Sequence, residues 1–405
     1  MRRLQWTLML IGVLLTTPTP ADQDWTASQQ RILRSLSLGA ATIPRSDSNR
    51  FADHPRAAEF GRQLFFDASL SLDGSVSCAS CHQPNRFFTD GRRVGVGIGT
   101  TLRNTPTLVG SAWLRWFYWD GRRDSLWAQA LIPFEAAEEM GGSRTAVVRS
   151  ILASSSYRRE YERLFGAIPL VLRSGPLPAH ASPIGDAARQ TAWYQLKPAT
   201  QQAVNSMFAN IGKAIAAYER TLNPEPTRFD RYVESLTNGA TEDVLLTDDE
   251  LAGLALFIDA SKTQCLQCHN GPMFTNQGFH NIGTGNLDGE AIDFGRMFGL
   301  QAVLMDEFNC VGAYSDATPE ACVHLNYLNK THHIPLTGAF KTPSLRNVMR
   351  SAPYFHDGRA DDLRSVLEHY NRPPDNNGQH ELKTLTLSVR ELEQLEAFLG
   401  ALTSD

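Results

Sequence analysis

The sequence predicts a mainly α-helical protein built as two helical domains joined by long loops. An amphipathic helical pattern followed closely by a Cys-x-x-Cys-His run occurs twice, from Pro55 to Phe66 before residues 78–82 and from Asp248 to Ala260 before residues 265–269. Strand signals are few and short. The segments between the helical patterns are rich in turn-forming residues: 167–200 carries Pro169, Pro176, Pro178, Pro183 and Pro198, and 283–338 is rich in Gly and polar residues. Over 405 residues, 42% apolar and 20% charged side chains are ordinary for a globular protein and argue against disorder, a collagen-like repeat or a membrane bundle. A net charge of -5 leaves no basic footprint, so nucleic acid is not an expected partner.

From the amino end, Arg2 and Arg3 precede an apolar run from Leu8 to Leu15 that is too short to span a bilayer, and Thr19-Pro20-Ala21 offers small residues for cleavage. Residues 1–21 read as a secretory signal peptide; the alternative is an uncleaved anchor, because Trp6 lengthens the apolar stretch. No later segment reaches the ~18 consecutive apolar residues of a membrane span, so the mature chain is expected to be soluble in the periplasm. Residues 22–222 form the expected N-terminal domain, with a long helical pattern at 203–222. The turn-rich NPEPT at 223–227 serves as linker to a second domain, 223–405, closed by a helix over 388–402. The stretches 167–200 and 283–338 are expected to be loops that do not build the core.

The chemistry lies in the cysteines. A haem has two vinyl groups and one iron, and thiols at i and i+3 with an imidazole at i+4 meet all three from one helical turn. Cys78 and Cys81 are therefore expected to form thioethers with a first haem c whose iron His82 ligates, and Cys265, Cys268 and His269 to hold a second in the same way. Zinc is the competing reading, but it needs four ligands per ion and would join segments separated by much of the chain. Six cysteines are too few for a disulfide scaffold; the remaining two, Cys310 and Cys322, pair as a disulfide in an oxidising compartment, or else stay as free thiols.

Between Gln83 and Glu139 there is no His, Met, Lys or Cys. The first haem is thus expected to keep an open distal position, the condition for peroxide chemistry; Met140 or Met207 reaching back is the alternative. An acid–base group beside such an iron would move the proton that cleavage of peroxide requires. Glu139, in QALIPFEAAEEM at 129–140, is the candidate, although a Glu in a charged cluster is more often a solvated helix face.

Nine elements, CASCH, LRNTPTL, WDGR, QALIPFEAAEEM, AYERTL, FDRY, CLQCHNGPMFT, FKTPSLRNV, and APYFHDGR followed by EHYN, occur in order between about residues 55 and 400. In these the chain resembles the bacterial dihaem cytochrome c peroxidases and their MauG-like relatives, the methylamine-utilisation proteins that mature a tryptophan-derived quinone. The resemblance implies two cytochrome-c-like domains, a peroxide-reacting haem on the first motif and an electron-relaying haem on the second. It places Gln129 and Glu139 in the distal pocket and Trp119 between the haems. It also implies a calcium ion at the domain interface, held by Asn104 with backbone carbonyls near Ser351 and Pro353, although Ser351 replaces the expected Thr. Family members often form homodimers.

Two departures carry consequences. Ordinary members release a distal His from the loop before the NTPTL element on reductive activation; here FFTDGRRVGVGIGTTLRNTPTL has none, so the resting enzyme is expected to react directly with peroxide. The family's peroxidases also place a Met fourteen residues after the His of YFHDG as the second haem's axial ligand. Here that position is Tyr370, as in the quinone-maturing protein, and a phenolate would lower the iron's potential. Neighbouring His369 is the alternative ligand, pointing about 100° away on a helix. The implied function is oxidation by hydrogen peroxide of a small electron-donor protein, cytochrome c or a cupredoxin, or of a protein substrate as in a MauG-like maturing oxidase. A non-catalytic dihaem electron carrier is the rival.

Overall fold

The computed structural model describes residues 24–39, 41–238, 246–287, 291–328, 336–375 and 380–404; the expected signal peptide lies outside them. The protein is mainly helical with long connections, and the strands among the described residues are two-residue pieces in two antiparallel pairs, Phe279–His280 with Phe340–Lys341 and Asn286–Leu287 with Ala291–Ile292. No helix among the described residues is long and apolar enough to cross a membrane.

Two apolar cores organise the chain, each built on a crossing of two helices. In the first, Pro198–Glu219 is buried almost all round and lies across Pro55–Phe65. The approach is so close that a Cβ on Gly61 would sit 1.9 Å from Ala214 O, so no side chain fits there. The second core repeats the device: Asp248–Ile258 crosses Val389–Gly400, and a Cβ on Gly253 would sit 1.9 Å from Gln394 O. Local chemistry fixes where these helices begin. Pro55 and Pro198 open theirs at a position where the missing N–H costs nothing, while Thr247 with Glu250 and Ser388 with Glu391 form reciprocal capping boxes.

Chain order does not sort cleanly into the two cores. The helix Ala27–Leu36, assigned by the sequence to the N-terminal domain, buries Leu33 and Leu36 in the second core. Trp25 Nε1 donates to Tyr232 Oη at 2.7 Å, and the buried Asp230–Arg346 pair accepts from Leu38 N and donates to Leu36 O. The two stretches expected to stay out of the core also contribute to it. Residues 167–200 contain helices Leu170–Arg173 and Ala187–Tyr194, and place Ile168, Leu172, Leu177, Ala181 and Trp193 in the first core. Residues 283–338 contain helix Arg296–Met305 and send Phe308 back into that same core. In both, prolines and glycines break the helical period without diluting the apolar residues between them, so punctuation was mistaken for exposure.

Candidate active site

Each Cys-x-x-Cys-His run folds as one helical turn, Cys78–Cys81 and Cys265–Cys268. The amide of His82 closes its turn on Cys78 O at 2.9 Å and that of His269 on Cys265 O at 2.8 Å. None of the four thiols is in a disulfide. Nδ1 of His82 lies 3.0 Å from Phe88 O and Nδ1 of His269 lies 2.9 Å from Phe274 O. Donating there, Nδ1 leaves Nε2 of each ring as the ligating atom. Burial holds both imidazoles below their ordinary value, His269 at about 4, so both are neutral, as a metal requires. This donor set fits haem c. It does not fit zinc: among the described residues the only His/Cys/acid group close enough to share an ion is Asp124, Cys310 and His324, and Cys310 is disulfide-bonded to Cys322.

Around these turns the two halves repeat more closely than their motif spacing suggested. Residues 104–133 align without a gap on 341–370, so that FYWDGR at 117–122 matches YFHDGR at 354–359. The match extends to backbone: Tyr118 and Phe355 both have φ of 66°, Gly121 and Gly358 φ of 67° and 65°, and the bridges Phe117 to Arg123 and Tyr354 to Ala360 are equivalent. The halves also meet through equivalent bonds, Asn104 N to His356 O at 2.9 Å and Lys341 N to Trp119 O at 2.8 Å. Trp119 Nε1 in turn donates to Asn104 O at 3.0 Å. Trp119 therefore touches both the segment whose Pro106 carbonyl faces His82 and the segment whose Pro343 carbonyl faces His269.

The glutamate segment separates three fates. Glu135 is buried in an ion pair with Arg144 at 3.2 Å, Glu138 is exposed, and Glu139 turns inward. The charge of Glu139 is felt at Cys78 and Cys81, which sets the carboxyl facing the first motif. Burial raises Glu139 above the usual carboxylate range, against the opposing charge of Arg122. Its position is fixed by backbone: Glu139 O accepts from Ile98 N at 2.9 Å and Glu138 O from Gly99 N at 3.0 Å. A Cβ on Gly97 would come within 2.3 Å of Glu139 O, so the loop lacking His lies directly on the acid. Gln129 ends the Ser125-capped turn Leu126–Gln129, with Oε1 buried and the Tyr118 hydroxyl within reach of its side chain. Met140 and Met207 are both packed in the first core.

Two residues the sequence reading passed over complete this cluster: Tyr118, whose hydroxyl is buried near Gln129 and Glu139, and Arg122, whose guanidinium lies 3.5 Å above the Tyr118 ring. Glu219 is a third. Burial alone raises it to about 8, and its charge would act on Cys78. The signal for Tyr118 was the repeat, which pairs it with Phe355.

At the second motif, Tyr370 and His369 on helix Leu363–Asn371 part company. The Tyr370 side chain is half-buried, and its pKa is raised by desolvation and then by the charges of Cys268 and Cys265. His369 Nε2 instead lies 2.7 Å from Ile282 O. In the repeat, Tyr370 matches Pro133, which offers no donor atom. Asn104 commits its amide nitrogen to Arg92 O at 3.0 Å and Arg93 O at 3.5 Å, and the Ser351 hydroxyl donates to Val348 O at 3.1 Å.

A helical protein with two such thiol–imidazole turns, one facing an interior carboxylic acid and the other a phenol, belongs to the class of c-type dihaem redox proteins. Residues 55–238 match the family model for di-haem cytochrome c peroxidase. The chain is 31% identical over 400 residues to methylamine utilization protein MauG of Methylorubrum extorquens, covering 97% of this chain and 89% of that one. It is 31% identical to cytochrome-c peroxidase IdrP1 of Denitromonas iodatirespirans, covering 87% and 83%. The crystal structure of the diheme peroxidase BthA from Burkholderia thailandensis shares the fold, with a TM-score of 0.63 at 23% identity over 87% of each chain. The chain belongs to the dihaem cytochrome c peroxidase and MauG family, and is a peroxidase-type oxidoreductase with two haem c groups.

Proposed function

We propose that hydrogen peroxide reacts at the haem held by Cys78, Cys81 and His82, and that the haem held by Cys265, Cys268 and His269 relays the electrons that restore it. When bound, the haem supplies an iron at which the peroxide bond is cleaved. Glu139 accepts the proton of the inner peroxide oxygen and returns it to the outer one, which leaves as water; burial raises its pKa and so favours its holding that proton between the two steps. Gln129 orients the peroxide, Trp119 joins the two centres, and the Tyr370 side chain would supply an oxygen donor to the iron of the second. What carries this reading is Glu139, turned inward under the Gly97–Gly99 loop with its charge acting on Cys78 and Cys81.

The loop over Glu139 supports direct reaction with peroxide, without prior reductive activation. It is tied down at Glu138 and Glu139, and at its other end a Cβ on Gly358 would sit 2.1 Å from Arg93 O. A calcium ion would take the Asn104 side-chain oxygen with the carbonyls of Ser351 and Pro353. Export by residues 1–21 would place the enzyme in the periplasm, where a cytochrome c, a cupredoxin or a protein substrate donates electrons.

The test is Glu139→Gln. The variant keeps both haems and slows the reaction with stoichiometric peroxide at least ~100-fold, the scale of a lost acid–base group. An unchanged rate, followed by stopped-flow absorbance, removes Glu139 from the mechanism.

A further inference from the structure

The two halves of the molecule carry the same backbone around their haem turns, so the positions where they differ in polarity show what one site needs and the other does not. Three such positions matter: Gln129 matches Val366, Pro133 matches Tyr370, and Tyr118 matches Phe355. The first two already have roles. Loss of the phenol at Pro133 removes an axial donor, and gain of an amide at Gln129 gives the first site a polar group. Tyr118 adds a hydroxyl at the same site, on a residue held at φ 66° where its counterpart in the second half is plain Phe.

That hydroxyl is buried, with the Gln129 side chain within hydrogen-bonding reach of it. Neither it nor Gln129 Oε1 has a well-formed bond, and because a buried donor or acceptor left unpaired costs ~1–3 kcal/mol, a ligand oxygen between them would satisfy both. The ring is fixed from outside by Arg122, whose guanidinium stacks 3.5 Å from the centroid and is itself bonded to Asp120 at 2.9 Å. Burial, and then the negative charge of Glu139, hold the phenol protonated, so it enters the pocket as a donor.

We propose that Tyr118 is a third catalytic residue of the distal pocket, its hydroxyl donating a hydrogen bond to the oxygen of hydrogen peroxide held between Gln129 and Glu139. The inference rests on the assignment of the peroxide site to the first haem. It divides the work: Glu139 moves the proton, while Tyr118 keeps its own and fixes the oxygen on which that proton lands.

Tyr118→Phe is the test, in the holoprotein, because the matching Phe355 shows that Phe adopts this backbone in this setting. Carbon monoxide added to the fully reduced protein is the probe, since its C–O stretching band falls when a donor points at the distal oxygen. The expected result is an upward shift of that band in Tyr118→Phe, with a ~10-fold slower reaction with peroxide, the scale of one lost hydrogen bond. An unshifted band and unchanged rate in Tyr118→Phe, with Glu139→Gln still slow, overturn the role of Tyr118 alone. Unchanged behaviour in both variants overturns the peroxide site itself.

Discussion

Whether a side chain serves the second haem or merely packs beside it is decided, at the scale of single residues, by what its polar atom already touches. Tyr370 and His369 are adjacent, and sequence could not choose between them. His369 has its Nε2 engaged with Ile282 O at 2.7 Å, whereas the half-buried Tyr370 hydroxyl bonds no group among the described residues and feels the charges of Cys268 and Cys265. Tyr370→Phe is therefore expected to change the ligand-field bands and EPR signal of the second haem, while His369→Gln leaves them in place; the reverse pattern moves the ligand to His369. A phenolate ligand also stabilises the oxidised iron, so the midpoint potential of that haem rises when Tyr370 is lost. The thiols and histidines of both haem turns were fully legible in the sequence, because their chemistry is set by spacing within five residues. Tyr118 was not, since its meaning depends on the burial of its hydroxyl beside Gln129 and Glu139, which only three-dimensional packing reveals.

Elements set where those residues can stand. The loop before the NTPTL element carries no His, but its own role, holding Glu139 by backbone, was hidden in two glycines that sequence alone marks only as flexible. Gly97 and Gly99 act differently. A Cβ on Gly97 would meet Glu139 O at 2.3 Å and Glu139 Cα at 2.7 Å, all rigid backbone, while one on Gly99 would meet Glu138 Cα at 3.2 Å. Gly97→Ala must push the acid-bearing turn away. The expected outcome is a loss of about 1–3 kcal/mol in stability, typical of an overpacked site, together with a slower peroxide reaction although no functional group has been removed. Gly99→Ala needs a shift of only a few tenths of an ångström and is expected to react at close to the parent rate. Equal behaviour of the two variants in denaturant titration and stopped flow would show that the loop does not position Glu139.

On the scale of the whole molecule, the two halves are joined by more than the bonds beside Trp119. The segment beyond the second haem turn leaves its own half and grips the other: Asp306 pairs with Arg123 at 3.0 Å, Glu307 with Arg144 at 2.5 Å and Asp316 with Lys213 at 2.8 Å, with Phe308 sunk in the first core between them. No local pattern announces this, because Lys213 and Asp316 are 103 residues apart and each alone looks like an ordinary surface charge. Lys213 is 4% exposed at its side chain, and burial lowers its pKa against the pull of Asp316. Asp316→Asn keeps the volume but leaves that ammonium unpaired, which is expected to cost about 3 kcal/mol. Part of that cost is limited by Lys213 releasing its proton, so the loss should be larger at low pH, where the amine stays charged, and smaller as pH rises. Arg50, 68% exposed and 3.9 Å from the same carboxylate, is the internal control: Arg50→Ala should cost under ~1 kcal/mol. If chemical denaturation shows the two variants to be equally mild, the Asp316–Lys213 pair does not brace the segment, and its hold on the first half rests on Asp306, Glu307 and Phe308.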